Sequence, residues 1–470
     1  MPRYENYRPL LEKTLNHAIA HLENLESESV VATASLTELR ERLAYPLSDG
    51  RLAPEKIIED LVADTAGGFT GNAGGRFFAW VIGGVTPASL AADWLTSTWD
   101  QNAALYICSP VAAVVEEICG AWLKDLLRLP STASFALVTG CQMAHVTCLN
   151  AARYFLLQKF DWNVGRKGLA GAPQIRVLTS QRHGSFERAV RLLGIGTDNI
   201  IGLTTDEGTH LKPEILQKAL KEHSGSPLIL CLQAGEINTG AFDPFKELIP
   251  LAHKYNAWVH VDGAFGLWAA ASPQYRHFLE GVEAADSWAT DGHKWLNVPY
   301  DSGYAFVAHP DAHRNSMSHL ASYFTLDKEA RDEMDWNPEW SRRARGFATY
   351  AAIRELGRNG IADLVERTCR HAHALVTQIG ALNGAEMMWE PIINQGLVRF
   401  LNPKPNAAEA DHNQYTDQVI AEILKTGEAF FGGTTWRGKR CMRVSVCNWQ
   451  TSDADVQRTV EAIRKVLKRN

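Results

Sequence analysis

The stretch AWVHVDGAFGLW, residues 257–268, decides the architecture of this chain. Ala257 to Asp262 is a short run of apolar and β-branched side chains that ends on a carboxylate, with a glycine next. It reads as a buried strand entering a turn. Working outward, runs of the same kind occur at Phe135 to Thr139, Ile175 to Thr179, Leu228 to Gln233 and Gly303 to Val307. Between them, Gln142 to Gln158, Ser185 to Leu193, Pro213 to Lys221 and Pro244 to Tyr255 carry helical spacing. Such alternation predicts parallel βαβ units and an α/β domain whose mostly parallel sheet is covered on both faces. Ligands of these sheets bind beyond the carboxyl ends of the strands, so functional side chains are expected just after each run.

The flanks differ from this middle. Up to residue 75 the pattern is helical, over Tyr7 to Leu25 and Ala53 to Thr65, and it breaks in GGFTGNAGG from Gly67 to Gly75. That run lacks the Gly-Lys-Ser/Thr ending of a nucleotide-binding loop. From Ala351 onward helices mix with strands near Gly396 to Leu401 and Cys441 to Cys447. A last helix carries Val456, Val460, Ile463 and Leu467 on one face behind the caps Thr451 and Ser452. The expected organisation is an N-terminal helical segment, 1–75, a large α/β domain, 76–350, and a small C-terminal α+β domain, 351–470.

Composition narrows the function. With 470 residues, 47 Lys and Arg against 53 Asp and Glu, and no basic block, the chain lacks the clustered cations that nucleic acid demands. The opening residues show no uninterrupted apolar core of a secretory signal and include Glu, unlike a transit peptide, so a cytoplasmic location is expected. Leu129 to Ala152 is free of charged residues but contains Pro130, Gly140, Gln142, His145 and Asn150, which excludes a membrane span. The 8 Cys form no C-x-x-C pair, which fits reduced, mostly buried thiols rather than disulfides or zinc. No metal site is expected, and the partner is a small molecule.

Chemistry concentrates in HVDGAFGLW and in TDGHKWLNVPYDSG, Thr290 to Gly303. Asp262 ends a strand, and Lys294 lies 32 residues later in a loop before the next strand. Taken singly, Asp262 could cap a turn and Lys294 could be a solvated amine. Together they supply what a pyridoxal phosphate site needs: an amine for a Schiff base, and a carboxylate that keeps the pyridine nitrogen protonated. In TGCQMAH, Thr139 to His145, a strand turns through Gly140 into a helix whose N-terminal amides can bind a phosphate.

These segments resemble the group II pyridoxal-phosphate decarboxylases, the set that includes glutamate, aromatic amino acid and cysteine sulfinate decarboxylases. The resemblance runs from about Pro46 to the C-terminus through PLSDGRL, GRFFAW, ADWLTST, TSQRHGSFERAV, NTGAFDP, HVDGAFG, DGHKWL, SRRARGF and MRVSVCNWQTSDADV. It implies a fold-type I, aspartate aminotransferase-like domain and a homodimer with active sites at the interface. Lys294 resembles the Schiff-base lysine, with His293 beside it, and Asp262 the pyridinium partner, with Ala264 under the ring. His183 resembles the imidazole stacked on the ring, Asn238 a residue near the cofactor, and Gly140, Cys141 and Gln142 the phosphate turn. The chain departs from the family in having Cys141 and Gln142 where many members carry hydroxyl residues. Asp291 stands where relatives carry Asn or Asp, and an anion facing a phosphate is unfavourable, so it is expected to hold a loop or a cation instead.

The implied reaction is decarboxylation of an L-amino acid to its amine and CO₂. It proceeds through the Lys294 Schiff base and a quinonoid stabilised by Asp262, and Tyr323 in HLASYFTLD protonates the α-carbon. Alternatives left open are a carbon–carbon lyase, oxidative deamination to an aldehyde, and a catalytically silent cofactor-binding homologue. The segment Phe77 to Tyr106 is expected to line the substrate pocket, with Trp80 and Asn102 as contacts. TSTWDQNAALY resembles the glutamate-type members at Asn102 and Tyr106. Arg443 matches an arginine that could hold a carboxylate with two hydrogen bonds or pair between domains. These polar signs lean toward a small or acidic amino acid.

Overall fold

In the computed structural model, which describes residues 6–205, 210–319 and 330–469, a seven-stranded sheet forms the centre. Its strands are β1 (Ser134–Val138), β2 (Arg176–Thr179), β3 (Ile200–Gly202), β4 (Leu228–Gln233), β5 (Trp258–Asp262), β6 (Ser287–Asp291) and β7 (Gly303–Val307), in spatial order β1-β7-β6-β5-β4-β2-β3. Neighbours from β6 to β3 pair in parallel. The sheet is mostly parallel as expected, and strand β7 is the exception, running antiparallel to both β1 and β6. The reason is chain length: too few residues separate Asp291 from Gly303 for a crossover helix, and a short link returns a strand antiparallel.

Alternate residues of the strands feed two cores. Leu137, Leu230, Leu232, Val259 and Val261 join the apolar cluster on one face, and Ala136, Val138, Ile229, Cys231 and Trp258 join the other. This period of two on a doubly covered sheet is why β4 reads as an unbroken apolar run. The helices Cys141–Gln158, Gly184–Leu192, Pro213–Glu222 and Phe245–His253 follow their strands as expected. Reading by strand–helix alternation passed over β6, β3 and the helices Leu36–Leu43, Pro87–Trp99 and Pro110–Leu126.

A second, antiparallel sheet combines β8 (Ala385–Trp389), β9 (Gln395–Phe400), β10 (Gly432–Trp436) and β11 (Lys439–Ser445) in the order β10-β11-β9-β8. Its inner residues Val398, Phe400, Met442 and Val444 pack with Val456, Val460 and Ile463 of the last helix, Asp453–Arg469. The helix Gly346–Gly380 spans the expected boundary at residue 350 and breaks helical geometry at Gly357, where φ is 59°. All eight cysteines are free. Among the described residues, no helix is long and apolar enough to cross a membrane.

Candidate active site

The carboxyl ends of the parallel strands meet in one pocket, lined by His183 after β2, Gln233 and Glu236 after β4, Asp262 and Ala264 at the end of β5, and Lys294 after β6. Each side chain arrives there because its strand stops at the same edge. The loop carrying Lys294 is held by Asn297, whose Oδ1 accepts from the amides of Gly84 (2.6 Å) and Trp449 (3.0 Å). Its Nδ2 donates to the carbonyls of Trp295 and Cys447. Gly83 must be glycine, because a Cβ there would stand 1.9 Å from the Lys294 carbonyl oxygen. The Lys294 side chain is 20% exposed and paired with a carboxylate, unlike a free surface amine.

Lys294 Nζ lies 2.9 Å from Asp291 Oδ2. Burial alone would lower the affinity of this amine for its proton, but the charges of Asp291 and Asp262 and the bond to Asp291 outweigh it and hold the amine above the ordinary lysine range. The other Asp291 oxygen accepts from the Cys141 amide at 2.5 Å. Asp291 thus touches both the turn at the helix start and the Lys294 amine.

The phosphate turn can be tested for fit to the cofactor. Gly140 packs where an added Cβ would meet the His293 ring at 3.0 Å. The next element is an 18-residue helix, Cys141–Gln158, that starts without a side-chain cap. Among the described residues the buried Gln142 Nε2 group has no hydrogen-bond partner, and neither does Ser180 Oγ, next to the Gln181–His183 loop. Uncommitted donors of this kind suit an anionic ligand, because a buried polar group without a partner is costly. The residues present fit pyridoxal phosphate.

His183 caps the helix Gly184–Leu192, its Nδ1 accepting from the Ser185 amide at 3.2 Å, and its ring faces the pocket mouth. Burial lowers its pKa, helped by the Lys294 and Arg443 cations and opposed by Asp262. His293 stacks on Tyr300 with ring centres 4.3 Å apart and accepts from the Ser302 amide, and burial lowers its pKa as well.

Behind the pocket floor, His145 Nε2 stands 3.5 Å from Asp262 Oδ2 and 3.4 Å from Cys141 Sγ. The thiol, the imidazole and the carboxylate lie within 4.8 Å of one another, which is also the donor chemistry of a metal site. Here hydrogen bonding accounts for the grouping. Burial pushes the Cys141 thiol well above its ordinary value, so it is a protonated donor toward Asp262 Oδ1 at 3.9 Å.

Other expected residues lie outside this pocket. Asn238 is tied to Glu236 Oε1 (2.8 Å) and Thr434 Oγ1 (2.9 Å), although its neighbours Glu236 and Ile237 line the wall. Asn102 Oδ1 accepts from the amides of Ala104 and Arg342, both at 3.2 Å, which makes it a loop tie. Trp80 is exposed and stands beside Phe77 and Phe430. Arg443 is largely buried on β11, its Nε has no partner among the described residues, and burial lowers its pKa. Tyr323 lies outside the described residues. Gln181, Gln233, Glu236 and Phe265 line the pocket without having been singled out from the sequence. Their signal was position alone, at or just after strand ends.

A lysine and a carboxylate converging at the carboxyl edge of such a sheet define a pyridoxal-phosphate enzyme. The chain belongs to the pyridoxal-dependent decarboxylase family, whose conserved domain matches residues 38–401. It is 30% identical to a phenylacetaldehyde synthase of Petunia hybrida over 83% of this chain and 80% of that protein. It is 26% identical to an aromatic-L-amino-acid decarboxylase of Bacillus atrophaeus over 98% and 95%. Its fold matches an Oryza sativa TDC solved with pyridoxal phosphate and tryptamine, with TM-score 0.92, 23% identity, and coverage of 100% of this chain and 99% of that one. The chain is accordingly a pyridoxal-phosphate-dependent carboxy-lyase acting on amino acids.

Proposed function

We propose that this chain decarboxylates an L-amino acid to its amine, with Lys294 and Asp262 as the central residues. The observation that carries this is their convergence in one pocket with His183 and Ala264. Bound pyridoxal phosphate supplies an electron sink for the α-carbon. Lys294 provides the amine that tethers the cofactor and yields to the substrate. Asp262 holds a proton at the ring nitrogen, and Gln142 with the helix N-terminus receives the phosphate. His183 and Ala264 bound the ring, and Arg443 with its free Nε is suited to a substrate carboxylate. Tyr323 delivers the proton to the α-carbon.

The active unit in this reading is a homodimer. Its support is the N-terminal segment, where the helices Tyr7–Asn24, Leu36–Leu43 and Pro54–Asp64 bury no residue within one chain.

A second reading, aldehyde formation, is favoured by the likeness to a phenylacetaldehyde synthase. Incubation with a panel of acidic, small and aromatic amino acids, under air and under nitrogen, separates the two. CO₂ with amine in both atmospheres is the expected result, and Tyr323→Phe is expected to keep cofactor absorbance while losing amine. Aldehyde and peroxide formed by the unmodified protein only in air would replace the first reading by the second.

A further inference from the structure

Behind Asp262 runs a buried line of side chains that the reaction as described does not use. Trp258 Nε1 donates to Ser287 Oγ at 2.8 Å. Ser287 Oγ lies 2.9 Å from His260 Nδ1, and His260 Nε2 lies 2.9 Å from His145 Nδ1. His145 Nε2 then faces Asp262 Oδ2 and Cys141 Sγ. His145, His260 and Ser287 are fully buried, and Trp258 nearly so.

The carboxylate sets the direction of this line. A proton on His145 Nε2 faces Asp262 Oδ2 at 3.5 Å, whereas the opposite tautomer would put a bare ring nitrogen against it. His145 Nδ1 then accepts from His260 Nε2, and His260 Nδ1 accepts the serine proton. The Trp258 indole, which can only donate, takes one acceptor position of Ser287 and is compatible with this direction. Both rings are neutral, since burial pushes each down to about 3. The Cys148 thiol is directed at the carbonyls of Trp288 and Phe306, and its sulfur is also a neighbour of the Ser287 hydroxyl and competes with His260 Nδ1 for the serine proton.

We infer that His145, His260 and Ser287 form a one-way hydrogen-bond relay that positions Asp262 and favours its charged form when it faces the cofactor ring. This rests on the reading of Asp262 as the partner of the ring nitrogen. A buried carboxylate and a pyridine sharing one proton are drawn toward the neutral pair, with the proton on oxygen, because burial penalises charge. Donors fixed on the carboxylate oppose that. The relay supplies one from a neutral group, so it adds no positive charge that would compete with the ring. His145 and His260 are positioning residues and touch neither substrate nor cofactor.

The test is nitrogen NMR of the holoenzyme at neutral pH with pyridoxal phosphate labelled with ¹⁵N in the ring. The intact protein is expected to show a protonated ring nitrogen. In His145→Leu, the ratio of protonated to bare nitrogen is expected to fall about tenfold, the effect of one hydrogen bond to a charged group at the weak end of its range. His145→Gln, which can present an N–H at the same place, is expected to recover part of it. An unchanged nitrogen signal in His145→Leu overturns the relay. If that variant takes up no cofactor, Ser287→Ala decides, because it breaks the line two links from the pocket; an intact-like signal there overturns the proposal equally. A bare ring nitrogen in the unmodified holoenzyme would instead sink the reading of Asp262 itself.

Discussion

At the scale of single residues, Asp291 is where chemistry and sequence part most clearly. It grips both the Cys141 amide and the Lys294 amine, and its charge is the leading influence raising the lysine against the lowering effect of burial. An amine must be neutral to attack an aldehyde, so Asp291 delays capture of the cofactor to higher pH. In Asp291→Asn, the pH profile for growth of imine absorbance, measured on cofactor-free protein mixed with pyridoxal phosphate, should move to lower pH and uptake at neutral pH should speed up. A profile that does not move would show that Asp291 has no hold on Lys294 in solution. Asp262 was legible because it closes a readable strand, and Lys294 because it lies 32 residues later in the loop before β7. The relay was not, although His260 and His145 lie inside the two most telling stretches. His260 and Asp262 share a strand face by the period of two, and Cys141 and His145 share a helix face by a spacing of four. Only the packing that lays the helix Cys141–Gln158 across β5 and β6 reveals that the faces meet.

At the scale of elements, strand β6 enters the sheet through Asp286, which is bracketed by two histidines from different elements. Asp286 accepts from His253 Nε2 (3.0 Å), at the end of the helix Phe245–His253, from His309 Nε2 (2.8 Å) after β7, and from the Val259 amide at 2.7 Å. Burial would raise the Asp286 pKa, but the histidines and the amide outweigh it and lower it; the bond to Asp286 raises that of His253 against burial. A lowered carboxylate stabilises the fold above its unfolded value and loses that contribution as pH falls through the folded one. A raised histidine stabilises below its unfolded value and loses that contribution as pH rises through the folded one. Both terms are present together between about pH 4 and pH 6.5. Asp286→Asn should therefore cost about 1 kcal/mol in denaturant unfolding near pH 5.5, allowing for the half-exposed histidines, and less above pH 8. A penalty that grows with pH would contradict the bracket. The direction of β7 shows what a missed element costs: the short Asp291–Gly303 interval forbids a parallel return, but it becomes readable only once β6 is seen to end at Asp291. The helices Pro87–Trp99 and Pro110–Leu126 were harder to see, because apolar residues appear on their exposed sides, with Trp94, Leu95 and Trp99 on the first and Val111 and Val114 on the second.

At the scale of the whole molecule, the N-terminal segment is anchored at one end and bare along its length. Arg76 is 2% exposed and donates to the carbonyls of Glu26 (2.9 Å), Glu28 (3.0 Å) and Glu428, which fixes the segment to the C-terminal part of the chain. Beyond that anchor, Leu11, Leu15, Ile19 and Leu22 stand exposed at spacings of four, four and three, one continuous face of the first helix. A helix of this length gains little from propensity alone and normally holds its shape by burying such a face. Ile57, Leu61 and Val62 add apolar surface on the third helix. In the proposed homodimer a second copy would cover these faces and supply the missing burial, and stable interfaces need about 800 Å² per partner. The intact protein is expected to sediment as a dimer and Leu15→Glu/Ile19→Glu as a monomer, because each charge would be stranded in an apolar interface. The circular dichroism of the remaining fold should be nearly unchanged, since neither residue contributes to the sheet cores. A dimer that survives both charges would move the interface away from this helix and leave its apolar face unexplained.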